Sequence, residues 1–391
     1  MANAEIIKQL KAENYSSLFE LLNLVFAKKN GVPTNFEKDL PKMCGRDDEH
    51  MNNHYGIFDN DKLVAVIGVY LIPTVINGEN LLFSTVGNIA VHPDYEGKGY
   101  MNLLLEKAMQ VLNEKGVDAS RLGGLRSRYN RFGYETCGTN YNFTLTSYNT
   151  KKLFNNYLDN TITFTPINKT DYDVLKFCYN LYKNDKIYTL RGEQNNYINV
   201  YNSMVAWQNI PYLATTKNGE KLGYIVVNPS KTVVSEVFGT TTENTIKILC
   251  NYQNNLGCDL KFSLPPYSIE LLKIFTENCE YLSTSPICHF KVINYQKLTN
   301  ALLKLKSSYC KMIDGESNIL IENYGTIKIK VENGIATCSL TSDTPDIKVT
   351  NLQAQRLLFS YLPTYHTINK SPAFLNAILP LPLSWNLQDR V

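Results

Sequence analysis

No Cys-x-x-Cys pair occurs among the nine cysteines, and their odd, scattered set offers neither a zinc-ligand spacing nor a disulfide framework. No apolar run approaches the ~20 residues that a bilayer-spanning helix needs. The opening Met1-Ala2-Asn3-Ala4-Glu5-Ile6-Ile7-Lys8 lacks the apolar core of a secretion signal. An excess of one charge is missing too. The 39 basic and 36 acidic residues leave +3, without a long basic run, so no nucleic-acid groove or anionic membrane surface is indicated. His50, His54, His92 and His366 show no ligand spacing, and Cys288-His289, adjacent on a strand, would point to opposite faces. These absences lead to an expectation of a cytoplasmic protein with no metal, no nucleic-acid partner and no membrane span.

What remains is ample apolar content, 44% of 391 residues, enough for two or three packed domains. The most informative stretch is Ile89-Ala90-Val91-His92-Pro93-Asp94-Tyr95-Glu96-Gly97-Lys98-Gly99-Tyr100-Met101. An apolar strand runs through turn chemistry into a Gly-x-Gly loop. Apolar positions 101, 104, 105, 108, 111 and 112 then recur with helical spacing, and Gly116 is placed to end the helix. Free amides and the positive end of a helix dipole meet at such a junction, which makes it an anion site suited to phosphates. A Walker A loop is excluded, because Gly97-Lys98 is followed by Gly99-Tyr100 rather than Ser or Thr. A dinucleotide fingerprint wants three glycines directly after a first strand, and this loop has two, after several strands.

Val91, Pro93, Tyr95, Gly97, Lys98, Gly99 and Tyr100 resemble motif A of the GCN5-related N-acetyltransferases, V-x-P-x-[YW]-[RQ]-[GR]-[KRQ]-G-[YLI]. Glu96 stands where the family usually has Arg or Gln, and Met101 where it has Gly or Ala. A second stretch, Arg128-Tyr129-Asn130-Arg131-Phe132-Gly133-Tyr134-Glu135, resembles the family's Y-x-x-x-G-[FY] signature. The resemblance implies acetyl-CoA as co-substrate. Asn88, Ile89, Ala90 and Val91 would pair with its pantetheine arm and polarise the thioester, and Glu96, Gly97, Lys98, Gly99, Tyr100 and Met101 would lie along its diphosphate. Tyr129 would be the acid that protonates the leaving thiolate. The chemistry suits it, since a phenol of ordinary pKa near 10 is protonated at neutral pH.

Three segments follow along the chain. Residues 1–150 give a helix from Tyr15 to Ala27, a hairpin (54–58 and 63–69) turned at Asp59-Asn60-Asp61, the motif strand and helix, a short helix ended by Gly133, and a strand at 143–146. That is the acetyltransferase order. Residues 151–288 repeat part of it: a hairpin (211–216 and 222–227), a strand (233–238) and a helix (242–253). Gly239-Thr240-Thr241-Thr242 has no Gly-x-Gly, so a degenerate copy without CoA and an unrelated α/β unit fit equally well. Residues 289–391 carry a helix (295–306), strands at 318–321, 326–330 and 335–340, and a helix (351–362). In order and length the whole resembles acetyltransferases of the enhanced-intracellular-survival (Eis) type. The expected fold is α/β (α+β), with tandem acetyltransferase domains on a mixed central sheet with flanking helices, closed by a sterol-carrier-like α+β domain.

In that family the terminal carboxylate enters the active site and takes part in proton removal, which assigns the role to Val391 here. Pro380 and Pro382 stiffen the tail and Trp385 offers an anchor. The resemblance also implies a homo-oligomer, with a hexamer as the family's example. The expected reaction is acetyl transfer to a primary amine, on a small molecule or peptide: an aminoglycoside, a polyamine or a lysine-like group. Two other functions compete with it. One is a non-enzymatic CoA- or lipid-binding sensor, motivated by Glu96 near the phosphates; the other is an acyl or aminoacyl transferase acting on a cell-wall peptide.

Overall fold

The computed structural model describes residues 7–191 and 197–390. The first segment opens with β1 (Ile7–Gln9) and α1 (Tyr15–Asn30), then β2 (His54–Asp59), β3 (Lys62–Ile76) and β4 (Glu79–Val91). Two tight hairpins join these strands. Asn60 and Asp61 (φ 47° and 65°) make the first, Asn77 and Gly78 (φ 47° and 85°) the second. Both pairs are left-handed, as two-residue hairpins require. Next come α2 (Tyr100–Glu114), β5 (Ala119–Leu122), α3 (Arg126–Tyr129), β6 (Glu135–Cys137) and β7 (Asn140–Leu145). Leu18 and Leu22 of α1 pack with Val66 and Ala90 on one face of the sheet. Leu104, Leu105 and Ala108 of α2 pack with Val86 and Leu122 on the other.

The second segment contributes β8 (Thr163–Pro166), β9 (Ile187–Thr189), β10 (Ile210–Thr215), β11 (Lys221–Val227), β12 (Val234–Gly239), α4 (Thr242–Leu256), β13 (Leu260–Leu264) and β14 (Tyr281–Ser285). Strands β12-β11-β10-β8 form one antiparallel sheet. The third segment supplies β15 (Cys288–Val292), α5 (Tyr295–Ser307), β16 (Gly315–Ile321), β17 (Gly325–Glu332), β18 (Ile335–Thr341), β19 (Ile347–Val349) and α6 (Asn351–Phe359). Its sheet, β18-β17-β16-β19, shares an apolar core with α5 and α6.

The segments exchange strands. The first sheet runs β1-β2-β3-β4-β5-β15-β6, so β15 from beyond residue 287 fills the gap between β5 and β6. In return β7 leaves that sheet and pairs with β13 and β14. Phe143 drives the second pairing, stacked on Phe262 at 5.4 Å and beside Phe275 at 5.9 Å. Strand β9 reaches back to the far end of β3.

Candidate active site

Strands β4 and β5 are parallel neighbours only from Phe83–Ala119 to Val86–Leu122. Beyond Val86, β4 continues on β3 alone, so a wedge opens between the two strands. A bulge directs it. Val66 pairs with Ala90 and Gly68 with Gly87, which sets Asn88 and Ile89 against Ile67 alone. Asn88 takes a left-handed φ of 51°, a conformation that Asn tolerates better than most residues. Its Nδ2 donates to the Tyr70 hydroxyl at 2.7 Å, and that hydroxyl donates to His54 Nε2 at 2.8 Å. This order leaves the proton of neutral His54 on Nδ1, facing the Met51 carbonyl at 3.3 Å. Burial pushes His54 down to about 4, which agrees with a neutral ring. The buried relay holds the bulge; the Asn88 side chain is committed to it, leaving the backbone of Asn88, Ile89, Ala90 and Val91 to line the wedge.

The loop at the mouth of the wedge is built on two left-handed glycines, Gly97 (φ 80°) and Gly99 (φ 81°). A Cβ at either would meet no other atom, so backbone conformation rather than crowding demands glycine. Among the described residues, none of the amides from Gly97 to Met101 donates to a protein acceptor; the first bonds of the helix come from Asn102 and Leu103, both to the Gly99 carbonyl. Lys98 Nζ lies 4.2 Å above the Tyr95 ring, and the Tyr95 hydroxyl donates to Asp59 at 2.7 Å, fixing one wall. Glu96 is exposed, its charge turned to solvent. Arg131 donates to Asn102 Oδ1 and adds a cation at the first turn of α2. Sequence reasoning missed Arg131, which the fold brings to the helix N-terminus from 29 positions away.

Tyr129 belongs to the apolar cluster against which Ile89, Val91, Tyr100 and Met101 also pack. It is 6% exposed. Burial raises its pKa, partly offset by Arg128, so the phenol keeps its proton at neutral pH. Gly124 makes room for the ring: a Cβ there would stand 2.8 Å from Tyr129 Cε2. Glu135 anchors the short helix through Arg126 at 2.6 and 2.8 Å.

The sheet's other face carries the tail. Trp385 stacks on Phe83 at 5.5 Å, the anchoring expected from sequence. Gln388 receives Lys42 Nζ at its carbonyl (2.6 Å) and donates to the Met204 carbonyl (2.9 Å). Asp389 binds Arg191 (2.8 Å) and the Tyr182 hydroxyl (2.6 Å), and Arg191 in turn grips Glu236. Val391 itself lies outside the described residues. Among the described residues no group of three or more His, Cys, Asp or Glu is placed to hold a metal ion.

In the second segment Val233, just before β12, makes an isolated parallel bridge to Lys261 of β13. Here, however, the Gly239 amide donates to Thr245 Oγ1 at 3.0 Å, and Thr241 Oγ1 caps the Asn244 amide. These donors are already consumed.

A family model described as an acetyltransferase (GNAT) domain matches residues 6–137. The match covers β1 to β6, with the Gly97–Gly99 loop, α2 and Tyr129. Over 92 residues the chain is 37% identical to the [ribosomal protein bS18]-alanine N-acetyltransferase of Haemophilus influenzae. That alignment covers 23% of this chain and 60% of the relative's length. Among solved structures, a probable N-acyltransferase of Enterococcus faecalis V583 superposes with a TM-score of 0.66 at 14% identity, covering 96% of this chain and 97% of that one. A GCN5-related N-acetyltransferase of Anabaena variabilis gives 0.66 at 12%, and Eis1 of Mycobacterium abscessus 0.64 at 13%, each covering 97% of both chains. At such identities these structures share the fold with this chain, over nearly its whole length.

Proposed function

We infer that the chain is an acetyl-CoA-dependent N-acetyltransferase acting on a primary amine. The observation that carries this is the row of unengaged amides at Gly97–Met101, set at the mouth of a wedge whose apolar cluster also holds a protonated, buried phenol. The residues present fit the co-substrate. Amides 97–101 suit a diphosphate, and the unpaired edge of β4 suits the amide groups of a pantetheine arm. Acetyl-CoA, when bound, supplies an acetyl group on a thioester. Val91 N–H then polarises the carbonyl, the neutral amine forms the C–N bond as C–S breaks, and the Tyr129 hydroxyl gives its proton to sulfur. The amine's own proton goes to the Val391 carboxylate, an assignment supported by the docking of Asp389 and Arg390 and by the likeness to Eis-type enzymes.

The acceptor belongs to the class of aminoglycosides, polyamines, lysine-like groups or peptide amines; the relative that acetylates an alanine of a ribosomal protein favours the last. Residues 289–391 act as a sterol-carrier-like domain, residues 151–288 as the degenerate copy, and the chain assembles as a homo-oligomer. Nine free thiols suit the reducing cytoplasm. Titration of acetyl-CoA by calorimetry, with thiol release on amine addition, tests the proposal. Tyr129→Phe should leave binding intact and lower turnover by about tenfold or more. Absence of binding sinks the transferase; tight binding without turnover on any amine favours a sensor; undiminished turnover in the variant removes Tyr129 from the chemistry.

A further inference from the structure

A cavity of about 350 Å³, the size of a small-molecule pocket, lies in the second segment. Its walls are β12, the turn that leads into α4, the turn that follows β13, and the tail from Ser384 to Leu387. It is separate from the site described above, for its lining includes neither Tyr129 nor any residue from Asn88 to Met101. Two acids line it, Asp185 and Glu236, and no Lys, Arg or His does so among the described residues. The two acids are not equivalent. Arg191 grips both oxygens of Glu236, and the Tyr224 hydroxyl donates to one of them at 2.7 Å. Asp185 has no such cation. Its Oδ1 accepts the Lys186 amide at 2.7 Å and its Oδ2 the Tyr267 hydroxyl at 3.2 Å, and it makes no ion pair with any Lys or Arg. Two neutral donors leave each oxygen with a free lone pair. Burial pushes this carboxyl up to about 7, and the Lys186 amide and the Tyr267 hydroxyl offset that only in part.

The chemistry of the walls selects the occupant. An anion finds no partner, because the Gly239 and Asn244 amides near the start of α4 already donate to Thr245 and Thr241. A purely apolar molecule would bury the Asp185 carboxyl further and leave it unpaired. A metal ion wants several oxygen or nitrogen ligands, and no such group is placed for one among the described residues. An organic ammonium ion avoids all three objections. Its N–H groups use the free lone pairs of Asp185, its charge offsets that carboxylate, and its carbon skeleton packs on Leu181, Leu264 and Leu271.

We propose that this cavity is a second ligand site, which takes a small organic amine as its ammonium ion and pairs it with the Asp185 carboxylate. No group assigned to acetyl transfer lines the site, so it stands or falls apart from that function. The tail forms one wall, which places Trp385 where it reports occupancy.

Trp207→Phe removes the chain's other tryptophan and leaves Trp385 as the fluorescent reporter. The full chain in this background is titrated, without acetyl-CoA and at matched ionic strength, with putrescine, with its uncharged diol counterpart and with succinate. Putrescine should change the Trp385 emission saturably, and the diol and the dicarboxylate should bind about tenfold more weakly or worse. Asp185→Asn should weaken putrescine binding by about tenfold or more, with a cooperative thermal transition reporting that the fold survives. Equal affinity for the diamine and the diol overturns the proposal without recourse to any variant, and so does the absence of a saturable response to putrescine. A putrescine response that Asp185→Asn leaves unchanged places the amine elsewhere on the chain and overturns it as well. Failure of the protein to bind acetyl-CoA, by contrast, indicts the transferase function and leaves these titrations to decide the cavity.

Discussion

At the scale of single residues, what was legible was whatever a backbone conformation forces. Gly97 and Gly99 could be read because a turn feeding a helix N-terminus needs left-handed residues, and both adopt φ near 80°. The open space around them sharpens the expectation. Gly99→Ala meets no steric obstacle, so its whole effect is the left-handed penalty of about 1–2 kcal/mol. That predicts a roughly five- to thirty-fold weaker acetyl-CoA affinity by calorimetry, with the chemistry at bound substrate little changed; unchanged affinity would show that the loop does not hold the ligand. Tyr129 came from its likeness to a motif, and the fold adds that its phenol is buried and keeps its proton at neutral pH. Arg121 was illegible. One arginine in Ala119-Ser120-Arg121-Leu122 resembles any strand residue, and only the assembled fold shows it buried on β5 at the edge of the wedge.

At the scale of elements, hairpins read well from their Asn-Gly and Asp-Asn-Asp turns, and helices from apolar spacing. The tail read only in part, because Trp385 announces an anchor whereas Arg191 and Tyr182, the partners of Asp389, sit 198 and 207 positions upstream. Burial works to raise the Asp389 pKa, yet Arg191 and Lys42 hold it below the usual carboxylate range. The sign follows from that depression. Its contribution is complete above the unfolded value of about 4 and fades as pH falls through the folded value. Asp389→Asn leaves Arg191 with Glu236 alone and should cost about 3 kcal/mol at pH 7 by denaturant unfolding. The gap between wild type and variant should narrow below about pH 4. A pH-independent gap would mean that the carboxylate is not ionised in the folded chain.

At the scale of the whole molecule, the order of elements could be read and the lacing could not. Sequence puts Cys288-His289 on a strand, but nothing in them says that β15 belongs between β5 and β6, more than 150 positions back. Strand pairing of that range is set by which edges are left open once everything else has folded. A cut after residue 150 therefore does more than remove neighbours. It takes β15 out of the first sheet, severs β6 from β5, and leaves β7 with Phe143 stripped of Phe262 and Phe275. The wedge lies beside that breach, since β5 forms one of its sides and would become an exposed edge. A 1–150 fragment should thus lack a cooperative thermal transition and bind acetyl-CoA at least tenfold more weakly than the full chain, an energy of about 1.4 kcal/mol. Trp385, stacked on Phe83 of β4, offers the complementary readout in the full chain: its fluorescence should change in the same transition that abolishes acetyl-CoA binding. A fragment that melts cooperatively and binds with undiminished affinity would show instead that the exchanged strands are ornamental, and that the first sheet sets its own wedge.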